Sequence, residues 1–373
     1  MKLKIKQNVL LEHLNYSIKG ISNKNIRPIL NCIKFELLED GLYLTSTDND
    51  ITIKTFIESK KIEEIESLGE IVVSGRYIYD IVRKLDNDII SIETVMDSKI
   101  YIKTANSSFY LNCNNVSEFP IIDFEESEEP IIIKNNIFKT AINQISFSAS
   151  TQESRPVLTG INFKLENNKL ELTATDSYRL SKKKIELDQS LTQDINIIVP
   201  TRNLIELVRM MNDDNENLNI HVFNNKIIFK FSTITLMSRL INGNYPDTSK
   251  LIPEEFEIKL LVKLNEFYNA IDRASLLTNE SDYNSIRLES NKNLVILTSN
   301  IPEIGNVEEK LDVKNLNDKD IKISFSSRYM MDALKSLDCE EIELLFNNDI
   351  KPIIIKNSET DNLIQLVLPI RTY

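Results

Sequence analysis

The sequence predicts an α+β protein made of three tandem copies of one domain, with helices on an inner face and antiparallel sheets outside. Two observations carry this expectation. One motif returns twice at a fixed interval, and within each interval amphipathic helical stretches alternate with strand-like runs of period two. The chain has 373 residues, and three units of roughly 125 residues account for its whole length. A solenoid unit spans only about 20–50 residues, so each copy is a domain rather than a stacking element.

Each unit opens on an amphipathic stretch. LLEHLNYSIKGI, FKTAINQISFSA and FYNAIDRASLLT all place apolar residues at helical spacing. A polar connector and alternating strands follow. PILNCIKFELLEDGLYLTSTDND in the first unit aligns with PVLTGINFKLENNKLELTATDSY in the second, and NSIRLESNKNLVILTSN is a worn third copy. EDG and ENNK have the turn chemistry of β-hairpins. A second helix comes next, in EIVVSGRYIYDIVRKLDND, NIIVPTRNLIELVRMMNDD and KISFSSRYMMDALKSLDCE. Arg76, Arg202 and Arg328 recur at intervals of 126 residues, and Arg83, Arg209 and Lys335 keep the same spacing. Units one and two close alike, on NCNNVSEFP and INGNYP, with Pro120 and Pro246 again 126 apart. Each unit therefore reads helix, strands, strand, helix, strands. The domains are expected at 1–126, 127–253 and 254–373, joined by the acidic linkers DFEESEEP and LIPEEFEIK.

Composition bounds the function. At 42% hydrophobic and 27% charged residues, the chain has the balance of a globular protein with ample core. No run of about 18 apolar residues occurs, so no membrane helix is expected. The opening MKLKIKQNVLLEHL lacks the continuous apolar stretch of a signal peptide, so the protein is expected in the cytoplasm. Cys32, Cys113 and Cys339 are too few and too scattered for a disulfide framework. His13 and His221 join no cysteine cluster of zinc-like spacing, and no glycine-rich phosphate loop is present. No cofactor or metal is expected. The formal charge of −12 taken alone argues against a nucleic-acid binder, but net charge does not report how charge is distributed.

The distribution is informative. The basic residues of each second helix stand seven apart, two helical turns, so each pair shares one face. Ile78, Ile81, Val82 and Leu85 would face the sheet. One such pair is an ordinary solvated helix face; three in register suggest a lining. Similar domains with similar junctions curve steadily and leave an unpaired strand edge at each end. Two chains meeting head to tail would close a six-domain ring with twofold symmetry. Twelve helices spaced ~8–10 Å apart around it leave a hole of roughly 22–28 Å. A DNA duplex, on the order of 20 Å across, would pass through it loosely. Such contacts carry no sequence information, and a closed ring retains DNA by topology.

An enzyme would have to use the carboxylates. Asp48 and Asp50 in TSTDND, with Asp176 as the repeat equivalent of Asp48, are the candidates for a metal-assisted reaction. Such chemistry needs several carboxylates on one centre, whereas these equivalents belong to separate domains, and Asp at strand ends more often builds turns. No catalysis is expected. The plainer alternative to a ring is a non-catalytic three-domain protein-interaction scaffold that does not encircle DNA.

Over its full length the sequence resembles the bacterial sliding clamp family, the beta subunit of DNA polymerase III. The motifs that carry the resemblance are TATDSYRL (173–180), RPVLTGINF (155–163), NGNYPD (242–247) and the C-terminal LVLPIR (366–371). It implies a processivity factor: a homodimeric ring of clamp domains on duplex DNA that tethers the replicative DNA polymerase, meets a clamp loader and binds other proteins bearing the clamp-binding motif. It implies a partner-peptide pocket at Leu158, Thr175, Ser177, Tyr178, Arg179, Leu180, Pro246, Lys250, Leu251, Leu366, Leu368, Pro369, Ile370 and Arg371, with Arg179 and Arg371 at its edge. DNA contacts carry over to Lys24, Gln152 and Arg202, alongside the lining residues Arg76, Arg83, Arg209, Arg328 and Lys335. The dimer interface maps to Phe109, Tyr110 and Leu111 in the first domain and to Leu276 and Leu277 in the third. Two departures bear on partner preference: Tyr178 stands where the family often has His, and Lys250 where it has Arg. Thr372 and Tyr373 extend past the usual terminal arginine region.

Overall fold

The computed structural model describes residues 1–21, 27–86, 88–95, 98–279 and 283–371. Lys24, Thr372 and Tyr373 lie outside the described residues. The first repeat runs β1 (Lys2–Lys6), α1 (Gln7–Ser17), β2 (Cys32–Leu38), β3 (Gly41–Thr47), β4 (Ile51–Glu58), β5 (Ile62–Ser67), β6 (Gly69–Ser74), α2 (Gly75–Lys84), β7 (Ile89–Val95), β8 (Lys99–Lys103) and β9 (Ser108–Asn114). The second runs β10 (Ile131–Lys134), α3 (Asn135–Ile145), β11 (Gly160–Glu166), β12 (Lys169–Thr175), β13 (Arg179–Glu186), β14 (Ile195–Pro200), α4 (Thr201–Met210), β15 (Asn217–Val222), β16 (Lys226–Phe231) and β17 (Ile234–Arg239). The third runs β18 (Ile258–Lys263), α5 (Leu264–Ser275), β19 (Ser285–Asn291), β20 (Leu294–Ile301), β21 (Gly305–Asp312), β22 (Lys314–Asn315), β23 (Lys322–Ser326), α6 (Ser327–Lys335), β24 (Glu341–Phe346), β25 (Ile353–Asn357) and β26 (Leu363–Val367).

The repeat order matches the pattern read from sequence with one addition: a short strand precedes the first helix of every copy. KLKIK has the alternation of a strand, but a run as short as IIIK gives periodicity too little to work with. The predicted hairpin turns form. Asn167 and Asn168 take φ of 50° and 60°, the left-handed pair that a two-residue turn of matching twist requires. Gly41 closes the equivalent turn in the first repeat at φ +151°, where a Cβ would stand 2.1 Å from the carbonyl oxygen of Ile57.

Contacts group the chain into two units, Met1–Lys139 with Arg202–Leu240, and Thr140–Thr201 with Ile241–Tyr373. The first unit carries one antiparallel sheet in the order β10-β15-β16-β17-β4-β3-β2-β6-β9-β8-β7-β1-β5. The pairing of β17 with β4, Met237 opposite Thr52, carries that sheet from the second repeat into the first. The second unit has one sheet ordered β14-β11-β12-β13-β26-β25-β24-β18-β22 and another ordered β21-β20-β19-β23. There β26 pairs with β13, Leu366 opposite Leu180. These joints are equivalent: the last strand of one repeat meets the third strand of the helix-following hairpins of the repeat before it.

In the first unit, α1 and α2 lie on the sheet through Leu10, Leu14, Ile78 and Val82, buried among Leu3, Ile5, Ile33, Phe35, Leu44, Ile90 and Ile92, with Ile81 and Leu85 half-buried against them. Each such side chain contributes roughly 1.5–3 kcal/mol on burial, so the apolar face of α2 fixes which face its arginines present. The acidic linker after the first repeat is tied down. Lys226 Nζ meets Asp123 Oδ2 at 2.8 Å, Lys230 pairs with Glu126, and the Ser127 N–H donates to His221 Nδ1 at 2.9 Å.

Candidate functional site

The repeated basic residues occupy equivalent places on their helices. Arg76, Arg202 and Arg328 are each the second residue of α2, α4 and α6, while Arg83, Arg209 and Lys335 sit in the last turns. All six are exposed. A cation in the last turn suits the helix dipole, whereas one in the first turn opposes it. The first-turn arginines therefore have no local reason to be there. Beside the unbonded N–H groups of a helix start, an arginine instead adds to a natural seat for an anion such as phosphate.

Their partners differ. Arg83 binds Asp80 at 3.0 Å, and Arg209 binds Glu206 at 2.6 Å. Arg202 reaches Asp48 Oδ2 at 3.4 Å while most of its side chain stays in solvent. Arg76 and Arg328 have no carboxylate partner among the described residues. Arg328 and Lys335 line a polar recess with Asp332, Ser275, Thr278 and Ser327. Gln152 lies exposed in the loop that leads to the turn Pro156–Thr159.

The carboxylates Asp48 and Asp176 build turns. Asp48 Oδ1 accepts from the N–H groups of Asp50 and Ile51 at 3.0 and 2.9 Å. Asp176 Oδ1 accepts from those of Tyr178 and Arg179 at 2.9 and 3.0 Å. Thr47 and Thr175 repeat each other as well, accepting from the N–H of Asn49 and of Ser177, each at 3.1 Å. Asn49 and Ser177 share the left-handed conformation, at φ 78° and 80°. No group of three or more metal-ligating side chains occurs among the described residues.

The second of these turns forms the head of the expected groove. Leu180 on β13 and Leu366 on β26 are buried with Leu345 and Ile354, and Leu368, Ile252, Phe256 and Ile364 pack on them. Tyr178 projects from the turn, 61% exposed. The Leu368 N–H donates to the Tyr178 carbonyl at 2.9 Å, and the Ile370 N–H to that of Ser324 at 2.7 Å, fixing the chain through Pro369. Leu158 is buried in Pro156–Thr159, and Thr175 is buried at the end of β12. Pro246, Lys250 and Leu251 are exposed around the turn Ser249–Leu251, and Arg371 is exposed at the end of the described chain.

One expected role needs correction. Arg179 was expected at the groove edge, free to fix a peptide. Its side chain is only 10% exposed and already engaged, with Nε on Asp176 Oδ2 at 3.0 Å and Nη1 on Asp332 Oδ2 at 2.6 Å. Of the residues expected at the subunit boundary, Leu111 is half-buried, with one side against the first-repeat core. Its neighbours are available: Phe109 and Tyr110 on β9 are exposed, and Tyr110 stacks on Tyr101 at 4.5 Å between centroids. Leu276 is 78% exposed just past α5, while Leu277 is half-buried.

The structure adds residues that sequence reasoning missed. Tyr329 and Asp332 on α6 meet the groove turn, and Phe147 lies against the Arg179 guanidinium at 5.2 Å. Tyr245, inside NGNYPD, is largely buried, and burial pushes its phenol well above the usual range. The motif NGNYPD marked that segment, but nothing in the sequence tied α6 to a turn about 150 residues earlier.

No helix among the described residues is long and apolar enough to cross a membrane. Residues 1–123, 132–247 and 249–371 match the N-terminal, central and C-terminal domains of the DNA polymerase III beta subunit. The beta sliding clamp of Staphylococcus epidermidis is 38% identical over 377 residues, covering 100% of both chains, and that of Staphylococcus aureus is equally similar. Among solved structures, the DNA polymerase sliding clamp from Bacillus subtilis superposes at a TM-score of 0.95 with 35% identity over 100% of both chains. The DNA polymerase III beta chain from Streptococcus pneumoniae does so at 0.94 with 32% identity over 100% of both chains. Three tandem domains of this kind, matched end to end, place the chain in the bacterial sliding clamp family, that of the beta subunit of DNA polymerase III.

Proposed function

We propose that the chain is a processivity factor: a homodimeric, six-domain ring that encircles duplex DNA and tethers the replicative DNA polymerase. The observation that carries the ring is the repeated strand joint. The last strand of repeat two pairs with β4 of repeat one, and the last strand of repeat three pairs with β13 of repeat two. The strands left over are β9, the last of repeat one, and β21, the counterpart of β4 and β13. β21 ends its sheet, and β9 touches β6 only at Cys113 and Asn114. A β9 from one chain meeting β21 of another repeats the same joint across the subunit boundary, satisfying both edges. Phe109, Tyr110, Leu111, Leu276 and Leu277 would lie at that boundary. Domains bounded at 1–126, 127–253 and 254–373 then each occur twice, making six around the ring.

The basic helices are assigned to the channel: Arg76, Arg83, Arg202, Arg209, Arg328 and Lys335, with Lys24 and Gln152 in the adjoining connectors. They bind phosphate without reading sequence, and several are half-neutralised by Asp48, Asp80 and Glu206, which favours weak, sliding contact. The groove around Tyr178, Leu180, Leu366 and Leu368 is assigned to short peptides of the polymerase, the clamp loader and other clamp-binding proteins, in which bulky apolar side chains fill an apolar floor. Such a protein acts in the cytoplasm by topology and tethering and catalyses no reaction.

The test is retention on nicked circular DNA after loading. The ring stays bound at high salt and is released when the circle is linearised. Equal retention on circles and on open linear duplexes would exclude topological binding.

A further inference from the structure

We propose that Asp332, on α6, is a positioning residue for the peptide groove, setting through Arg179 the turn that carries Tyr178. This rests on reading the groove as the peptide site. Asp332 is not among the groove residues that the resemblance implies, and its hydrogen bond goes to the Arg179 guanidinium.

The turn needs an external brace. Ser177 holds φ 80° without being glycine, a conformation that persists only when its surroundings over-determine it. Repeat one has the same turn, with Asn49 at φ 78°, but there the position after the turn is Ile51 and the helix supplies the cation, Arg202, to Asp48. In repeat two the polarity is reversed. The cation, Arg179, belongs to the turn, and the helix supplies the anion. Asp332 Oδ2 accepts from Arg179 Nη1 at 2.6 Å, while Asp176 Oδ2 accepts from Nε at 3.0 Å. The guanidinium lies 4.6 Å from the Tyr329 ring centroid and 5.2 Å from that of Phe147. A planar, nearly buried cation with two anions and two ring faces has one orientation available to it. Glu206 and Asp80, the residues equivalent to Asp332, instead bind the arginines of their own helices.

Tyr178 inherits that order. Its ring stacks on Tyr329 at 6.4 Å and 24°, and its carbonyl accepts from the Leu368 N–H at 2.9 Å. The placement of the Tyr178 ring beside Leu368 is therefore set from α6. The ligand that would feel it is an extended peptide whose bulky apolar side chain fits between the two.

The experiment measures binding of a fluorescein-labelled synthetic peptide, bearing one glutamine and two leucines, to the full-length dimer by anisotropy. Asp332→Ala and Asp332→Asn each weaken binding about tenfold, and Asp332→Glu restores it to within about twofold. In a Tyr178→Ala background Asp332→Ala has no further effect, because residues acting through one another are non-additive. A purely structural role would instead give additive losses and no rescue. Leu368→Asp removes binding in every background. If Leu368→Asp removes binding but Asp332→Ala and Asp332→Asn do not weaken it, the positioning role is refuted and the groove stands. If Leu368→Asp leaves binding intact, the groove reading itself fails and the positioning role with it.

Discussion

Replacing Leu276 with Asp is expected to convert the dimer to monomers without unfolding the chain. Leu276 is 78% exposed on the single chain, so a partner strand at the β9–β21 joint has most of its surface left to bury. Full burial of a leucine contributes roughly 1.5–3 kcal/mol, and about 1–2 kcal/mol of that remains available here. The variant loses this and also places a carboxylate without a partner in the joint, which costs several kcal/mol more. About 4 kcal/mol per joint is a conservative sum. The ring has two such joints, and both open on dissociation, so the total approaches 8 kcal/mol, nearly six orders of magnitude in the dimer constant. Multi-angle light scattering at micromolar concentration then reads the 43.0 kDa chain rather than its dimer. The unfolding midpoint stays close to the parent value, because the side chain is already in water on the folded protomer. A dimer mass for Leu276→Asp under those conditions would refute the assignment of this joint.

Charge and pH give further tests. Replacing Arg202 and Arg209 by Gln removes four cations from a ring, and the slope of log affinity against log salt for a short linear duplex should fall by about 2–4; an unchanged slope places these residues away from the phosphates. His13 is buried in α1, and desolvation, with Lys61 nearby, lowers its pKa to about 4 from 6.5. The folded protein therefore resists protonation there while the unfolded chain accepts it. The associated stability is intact above pH 6.5 and is lost as pH falls towards 4, by about 3 kcal/mol for this group. Urea titrations of His13→Gln should show a correspondingly flatter acid limb; an acid limb as steep as the parent's contradicts the assignment.

Features that repeat, or that follow from local periodicity, were legible in the sequence. Arg76, Arg202 and Arg328 could be aligned because the flanking apolar residues Ile78 and Val82 must return to the same core positions in each copy. The Asn167–Asn168 turn could be read because few residue pairs accept two left-handed conformations. What escaped depended on distant chain segments. The strand β1 is held by β5 and β7 rather than by its own five residues. β22 exists only because Lys314 and Asn315 lie alongside β18. Arg179 reads as an exposed cation in a polar turn until Asp332 is brought to it. In each case the deciding partner is far away along the chain, where periodicity and turn chemistry carry no information.

Electron microscopy of the dimer loaded on a nicked circle addresses the convergence of the basic helices most directly. The expected image is a closed ring with the duplex passing through its hole, and with Arg76, Arg202 and Arg328 of both chains turned toward the phosphates. A duplex lying against the outer sheets, or those arginines pointing away from it, would contradict a DNA-lining role for the basic helices.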